Sequence, residues 1–431
     1  MSGNVKRRTV IKGLAASAAA ASLASVSNGV FADKKHPIVI GLPTSQTAAH
    51  GVADDQDHLN GTILAMEEIN AAGGIMGRPL KLEVVDVDKL SPEAAGSSIR
   101  ALVDKKVHAI SNAFIFVPIP AMDASVKWAC PYLQGNTMRA ATEQFRQNPE
   151  KYSHIFQVDP SEVHYGYHFP IWLKAMKDQG VWEPMNNGIH IVQEQVAYNQ
   201  TISRACQDAI KQQDTFELAG VTDIQYPVQN WGPVVEQIRK VGAGAVMIDH
   251  WVAAEFAAFC KQFRARPLKN SLVYLQYGPS QPEFLDLARG AAEGFCWSTV
   301  MGVHADEKGL AYREKYKKRF PGTMGLCYTA IAYDIVYYLK AAWEAVGDPM
   351  KFKEVCDWIR VNPWDGLCGH IDMNNEFQEA AHWPDNGYPV RAATQDKGVP
   401  QLYFQVQERE HRLIYPYELK EVGLKPAPWW T

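Results

Sequence analysis

Short apolar, β-branched runs alternate with amphipathic stretches along most of the chain, and these two periodicities predict alternating strands and helices. "PIVIGLP", from Pro37, has strand character. It precedes "DHLNGTILAMEEINAAGG", where Leu64, Ala65, Glu68 and Ile69 keep a helical period that Gly73 and Gly74 end. "LKLEVVDV" predicts the next strand, with Ser91 as N-cap and Pro92 at the first position of the helix after it. "VHAISNA" leads into a helix near Pro120 to Trp128, and "CPYLQGN" follows. A βαβαβαβ series predicts a parallel sheet covered on both faces.

A second series starts near Ser153. "HIFQVDP", "GIHIVQEQVA", "TFELAGVTDI", "AGAVMIDHW" and "SLVYLQYG" predict strands, with helices beginning near Ser161, Thr201, Trp231, Ala253 and Pro282. The chain is expected to cross back near Gly294 to Val300, and its tail "QLYFQVQEREHRLIYPYE" alternates like a hairpin that turns at "EREH". The pattern thus predicts two doubly wound α/β lobes, whose ligands bind outside the carboxyl ends of the strands.

The N-terminus departs from this pattern. A basic head, Lys6 to Lys12, precedes a weakly hydrophobic Ala/Ser tract from Gly13 to Val30 that closes with "VFA" before "DKK". This predicts a signal peptide over residues 1–32 with cleavage after Ala32. Arg7, Arg8 and Lys12 resemble the twin-arginine export signal; a general secretory signal and an amphipathic N-terminal helix are the alternatives. No cysteine stands at the cut site to carry a lipid, so a periplasmic location is expected. Cleavage leaves 399 residues, too many for one compact core.

Charge and cysteine usage narrow the function classes. A net charge of −4 provides no basic footprint for nucleic acid. No apolar run after the signal approaches the roughly 20 residues that span a bilayer, so no direct membrane insertion is expected. The seven cysteines lack CxxC spacing and mostly sit in apolar contexts such as "FAAFCKQF"; Cys356 and Cys368 are the candidate bridge. "AAGGIMG" follows a helix rather than a strand, so it is a C-cap and turn, not a dinucleotide loop. The acidic run "ADDQDH", residues 53 to 58, is expected to be a solvated loop capping the next helix, not a cation site. His164 and His168 have the i,i+4 spacing of metal ligands, but no third ligand is evident, so no metal is expected. No P-loop, GxSxG or HExxH is present, and neither catalysis nor a cofactor is predicted.

The stretch "LNGTILAMEEINAAGGIMGRPLKLEVVDVDKLSPEAA", residues 59 to 95, resembles the leucine/isoleucine/valine-binding branch of the type I periplasmic solute-binding proteins of ABC importers. The resemblance extends to "VPQLYFQVQ" and covers essentially the whole mature chain. It implies an α/β fold of two doubly wound parallel-sheet lobes joined by a three-segment hinge. Lobe 1 is expected at 33–157 and 297–392, lobe 2 at 158–296 and 393–431. It also implies a monomer that binds a small-molecule ligand and delivers it to membrane permease subunits.

Carried over residue by residue, the family's ligand positions fall on His50, Ile115, Phe116, Asn136, Thr137, Met138, Tyr198, Trp251, Gln276 and Tyr328, with His250 and Tyr277 beside them. There are two departures from the pattern. Ile115 and Phe116 stand where small hydroxyls bind the ligand's carboxylate, and Gln276 stands where an acid holds its ammonium. Pairing an ammonium with an amide forfeits a charge-assisted hydrogen bond, about 1.5–3 kcal/mol. A neutral or weakly acidic, partly aromatic solute is therefore expected instead of an ordinary α-amino acid. An exported enzyme or cofactor carrier on the same fold, or an ordinary branched-chain amino acid binder, is the alternative.

Overall fold

The computed structural model describes residues 36–48 and 52–430. The signal segment and His50 lie outside them. The first series is β1 (Ile38–Thr44), α1 (Val52–Ala71), β2 (Leu80–Asp86), α2 (Pro92–Asp104), β3 (Ala109–Asn112), α3 (Pro118–Ser125), β4 (Tyr132–Gln134), α4 (Arg139–Gln147) and β5 (Ile155–Gln157). Its strands form one parallel sheet in the order β2-β1-β3-β4-β5. In β1, Ile38, Ile40 and Leu42 are fully buried, as a strand covered on both faces requires. Helix α1 ends at the predicted glycines: Gly74, at φ 75°, donates its N–H to the Ile69 carbonyl. Ser91 caps α2, its side chain accepting from the Ala94 N–H at 3.2 Å. Helix α4 was not anticipated, because "RAATEQFRQ" shows only Ala141, Thr142 and Phe145 to the core.

The second series is α5 (Val163–Asp178), β6 (Gly188–Glu194), α6 (Ala197–Lys211), β7 (Glu217–Ile224), α7 (Gly232–Val241), β8 (Ala245–Asp249), α8 (Ala253–Ala265), β9 (Leu272–Leu275), α9 (Phe284–Ala288) and β10 (Cys296–Thr299). Every residue of β8 is buried, whereas β7 is a largely exposed edge. The chain then adds α10 (Glu307–Arg319), α11 (Tyr328–Val346) and α12 (Phe352–Val361). Short strands β11 (Trp364–Asp365), β12 (His370–Ile371), β13 (His382–Trp383) and β14 (Val399–Pro400) follow, then β15 (Leu402–Gln407) and β16 (Glu410–Tyr415). The second sheet has the order β16-β15-β10-β9-β8-β6-β7, antiparallel only at β15 and β16.

Four expectations need correction. "HIFQVDP" does not open the second series: β5 pairs with β4 and closes the first sheet. The boundary at 296/297 cuts through β10, all four residues of which pair with β15 in the second sheet. The hairpin turn is tighter than "EREH": only Glu408 and Arg409 lie between the strands, both at positive φ (57° and 65°), as a two-residue turn of this hand demands. No Cys356–Cys368 bridge exists; all seven thiols are free and buried. Cys356 lies near Cys130, whereas the Cys368 N–H donates to Asp334.

No helix among the described residues is long and apolar enough to cross a membrane. His164 stacks on His382, ring centroids 4.0 Å apart, and its Nδ1 accepts from Asn386 Nδ2, so it packs α5 against β13. No cluster of His, Cys, Asp or Glu among the described residues is arranged to hold a metal ion.

Candidate functional site

The segments that follow β2, β3, β4, β6, β8, β9 and β10 converge on one narrow, nearly filled cavity. Among the described residues, eleven line it: Asp54, Lys89, Phe114, Phe116, Thr137, Tyr165, Tyr198, Trp251, Tyr277, Met301 and Tyr328. This is where open α/β sheets place ligands, because each strand's carboxyl end opens into a loop free to specialise. Gly166 lets the second sheet's helices contribute. A Cβ there would lie 2.2 Å from the Ile202 carbonyl oxygen, so only glycine allows α5 and α6 to close up and bring Tyr165 and Tyr198 to one wall.

The walls touch across the cavity. Phe114 meets Tyr198 edge-on at 5.4 Å, and Phe116 packs on Trp251 at 4.8 Å. The Thr137 and Tyr198 hydroxyls are 3.3 Å apart. Thr137 has φ 42°, uncommon for a β-branched residue, so its loop is held in a strained form at the cavity. Tyr277 donates to Asp54 Oδ1 at 2.7 Å, and Gln281 Nε2 donates to Oδ2 at 2.8 Å. These contacts join loops of the first sheet to loops of the second.

The run "ADDQDH" is not a solvated loop. It forms the first turns of α1, and Asp54, Asp55, Asp57 and His58 are buried. Their partners explain the burial: Asp55 pairs with Lys89 at 2.7 Å and accepts from the Ser45 N–H, Asp57 accepts from Tyr316 at 2.6 Å, and His58 bonds Ser111 at 3.2 Å. Burial pushes Asp54 above the usual carboxylate range, against the opposing Lys89 charge and the bonds from Tyr277 and Gln281. It raises Asp55 to about 6 and Asp57 to about 8. Asp54 and Lys89, the two charged residues among the described lining residues, thus belong to one buried network.

Of the residues expected at the site, Phe116, Thr137, Tyr198, Trp251, Tyr277 and Tyr328 line the cavity. Ile115, Asn136 and Met138 do not. Asn136 Oδ1 accepts from Asn112 Nδ2 at 2.8 Å and the Ile115 N–H at 2.9 Å, and its Nδ2 donates to Gln134. It therefore shapes the loop that presents Phe114 and Phe116. Met138 is a core residue whose N–H donates to Gln157.

His250 lies behind the wall between Glu194 (2.7 Å) and Glu255 (3.2 Å). Burial opposes its charge, but the two carboxylates outweigh that and raise its pKa. Gln276 is fully buried away from the cavity lining, and neither of its side-chain amide atoms has a hydrogen-bond partner.

Asp54, Lys89, Phe114, Tyr165 and Met301 were missed. Lys89 and Met301 follow strands and were within reach of the strand-end rule. Asp54 was hidden by the reading of its run as solvated. A wider pocket of about 1460 Å³, sharing Trp251 with the cavity, is lined by the acidic Asp57, Glu255 and Glu283.

Two α/β sheets with parallel cores, bridged by crossovers and facing one aromatic cavity, define the type I periplasmic binding protein fold. The chain belongs to the periplasmic binding protein family, whose profile matches residues 37–393. These are solute-binding proteins rather than enzymes, and the chain is the substrate-binding component of an ABC transporter, a role that implies a small ligand and permease partners. Among solved structures, a protein of Silicibacter pomeroyi assigned to branched-chain amino acid ABC transport is 28% identical. That match covers 91% of this chain and all of the other, with a TM-score of 0.83.

More distant structures share the fold. The leucine-binding protein LivK of Thermotoga maritima is 15% identical over 88% of this chain and 98% of its own, with a TM-score of 0.66. A solute-binding protein of R. palustris in complex with benzoate is 13% identical over 88% and 95%, with a TM-score of 0.66. No curated protein matches the sequence.

Proposed function

We propose that this binding protein captures a small, flat or apolar-bodied solute, neutral or weakly acidic, in preference to an ordinary α-amino acid. The observation that carries the reading is the composition of the wall: among the described residues, seven of the eleven that line it are aromatic. Such rings offer broad apolar area and quadrupole contacts to a ring or short alkyl body. Asp54, the one carboxylate on the wall among the described residues, already accepts hydrogen bonds at both oxygens. The benzoate bound by the R. palustris protein shows that this fold can hold such a solute.

The closing motion follows from the same reading. The lobes, 33–157 with 297–392 and 158–296 with 393–431, hinge about their crossovers, with the boundary moved past Thr299 to keep β10 whole. Ligand contacts shared between the lobes favour the closed form. The protein acts as a monomer in the periplasm, exported through the twin-arginine route and processed after Ala32. A thermal-shift screen tests the ligand class: aromatic acids and amides should raise the melting temperature more than leucine or valine does.

One observation favours a second reading. Asp54 and Lys89 put opposite charges on one cavity, the complement of a zwitterion, so a branched-chain amino acid is the competitor in that screen.

A further inference from the structure

We infer that His250 is a positioning residue for ligand binding: clamped between Glu194 and Glu255, it holds Trp251 and the loop carrying Tyr226 in the shape the solute meets. This rests on the cavity being the ligand site, not on which solute class fills it. His250 directly follows β8 and is fully buried behind the wall, so it does not itself contact the solute. Its Nδ1 donates at 2.7 Å to Glu194 Oε2, at the end of β6. Its Nε2 faces Glu255 Oε2, in the first turn of α8, at an ion-pair distance of 3.2 Å. The same Glu255 oxygen accepts the Val228 N–H at 2.7 Å, so the clamp reaches the loop after β7. In that loop the Tyr226 ring lies 5.5 Å from Trp251, and Trp251 packs on Phe116 across the cavity.

Taking an imidazolium and two carboxylates out of water is costly, and apolar residues would fill a core at least as well. Here the array stands where the segments that carry the wall meet. Asp249 adds a further link: it accepts from Asn199 at 2.8 Å, and Asn199 follows Tyr198. Tyr198 and Trp251, both on the wall, thus each adjoin a residue of this buried array.

The groups that face His250 are Glu194 from β6, Asp249 from β8, Glu255 from α8 and Tyr226 from the loop after β7. The Trp231 and Phe256 rings close over it edge-on at 5.8 and 5.3 Å. Burial opposes its charge, but the two carboxylates raise its pKa above 6.5. The clamp is therefore complete at low pH and is lost as pH rises through that raised value, and ligand affinity should fall with it.

The test uses the mature protein with benzoate and leucine as probes, titrated by calorimetry from about pH 6 to about pH 9, a span that brackets an ordinary imidazole and a raised one. The probe that binds should weaken as pH rises. Glu255→Gln keeps an acceptor for the Val228 N–H but removes one of the two charges on His250, so it should move the midpoint of that loss to lower pH. His250→Gln should flatten the profile and weaken the probe about tenfold at the acid end. Because it leaves Glu194 buried without this partner, His250→Gln/Glu194→Gln is measured beside it. Hydrogen exchange over residues 225–230 of the ligand-free protein is followed in parallel, as a ratio of variant to wild type at each pH, and should be faster in Glu255→Gln and in the double variant.

A wild-type affinity that is flat across this span, or a midpoint that Glu255→Gln leaves in place, overturns the inference. So does a folded double variant that binds like the wild type. If neither probe binds, exchange decides: unchanged protection of residues 225–230 in both variants overturns the inference, and faster exchange in both supports it. If leucine binds in place of benzoate and the midpoint shifts, the role of His250 stands while the proposed aromatic ligand class falls.

Discussion

Removing the hydroxyl of Tyr277 should loosen closure of the cleft and weaken ligand binding. This hydroxyl, on the loop after β9, donates at 2.7 Å to Asp54, in the first turn of α1, so the bond ties loops of the two sheets together. Both residues are buried, at 8% and 7% exposure, so water cannot replace the lost donor cheaply. A hydrogen bond to an ionised carboxylate contributes about 1.5–3 kcal/mol, and one to a neutral carboxyl about 1. Burial raises the Asp54 pKa, which pulls the expected value toward the lower end. Tyr277→Phe should therefore cost about 1–3 kcal/mol of closed-state stability, a fall of roughly fivefold to a hundredfold in affinity.

The assay is a double-mutant cycle on binding of the best solute from the screen, with Tyr277→Phe, Asp54→Ala and the double variant measured by calorimetry. The cycle isolates the pair from the separate costs of each substitution. A coupling of at least about 1 kcal/mol is predicted; additivity within about 0.5 kcal/mol would refute the latch.

Three further outcomes are expected. Trp251→Ala removes a ring that is 7% exposed and packed on Phe116 and Tyr226, and should cost binding about 1–3 kcal/mol by calorimetry. Asp57, raised from 3.8 to about 8 by burial, binds a proton more readily in the folded chain than in the unfolded one. Its contribution is therefore lost as pH rises between those two values, and a melting-temperature series across that window should flatten in Asp57→Asn. Replacing Arg7 and Arg8 by Lys should abolish periplasmic accumulation in a fractionation assay, because the twin-arginine route needs the guanidinium pair whereas a general secretory signal needs only charge.

The fold was legible because parallel strands bury both faces. Runs such as "AVMID" and "LVYL" are continuous apolar blocks between amphipathic helices, and each became a strand of the second sheet. Boundaries were harder, since strand pairing is nonlocal: nothing within "HIFQVDP" says that Ile155–Gln157 pairs with β4. The site was legible where a large aromatic follows a strand, as with Trp251 and Tyr277. It was illegible at Asp54, because a run of acids looks solvated until its partners are known. Tyr316, Tyr277 and Lys89 lie far along the chain from α1 or come from another loop, and they turn that run inward. Asn136 failed for the opposite reason: a polar residue after a strand fits a ligand contact, but here it is consumed by Asn112, Gln134 and the Ile115 N–H.

The most direct test of the aromatic cavity as the ligand site is a crystal structure of the protein with the solute that gives the largest thermal shift. The account predicts two closed lobes with the solute's apolar body enclosed by Phe116, Tyr198, Trp251 and Tyr328, and Asp54 still bonded to Tyr277. Density for the solute in the wider acidic pocket bordered by Asp57, Glu255 and Glu283, or an α-amino acid whose ammonium displaces Tyr277 from Asp54, would contradict it.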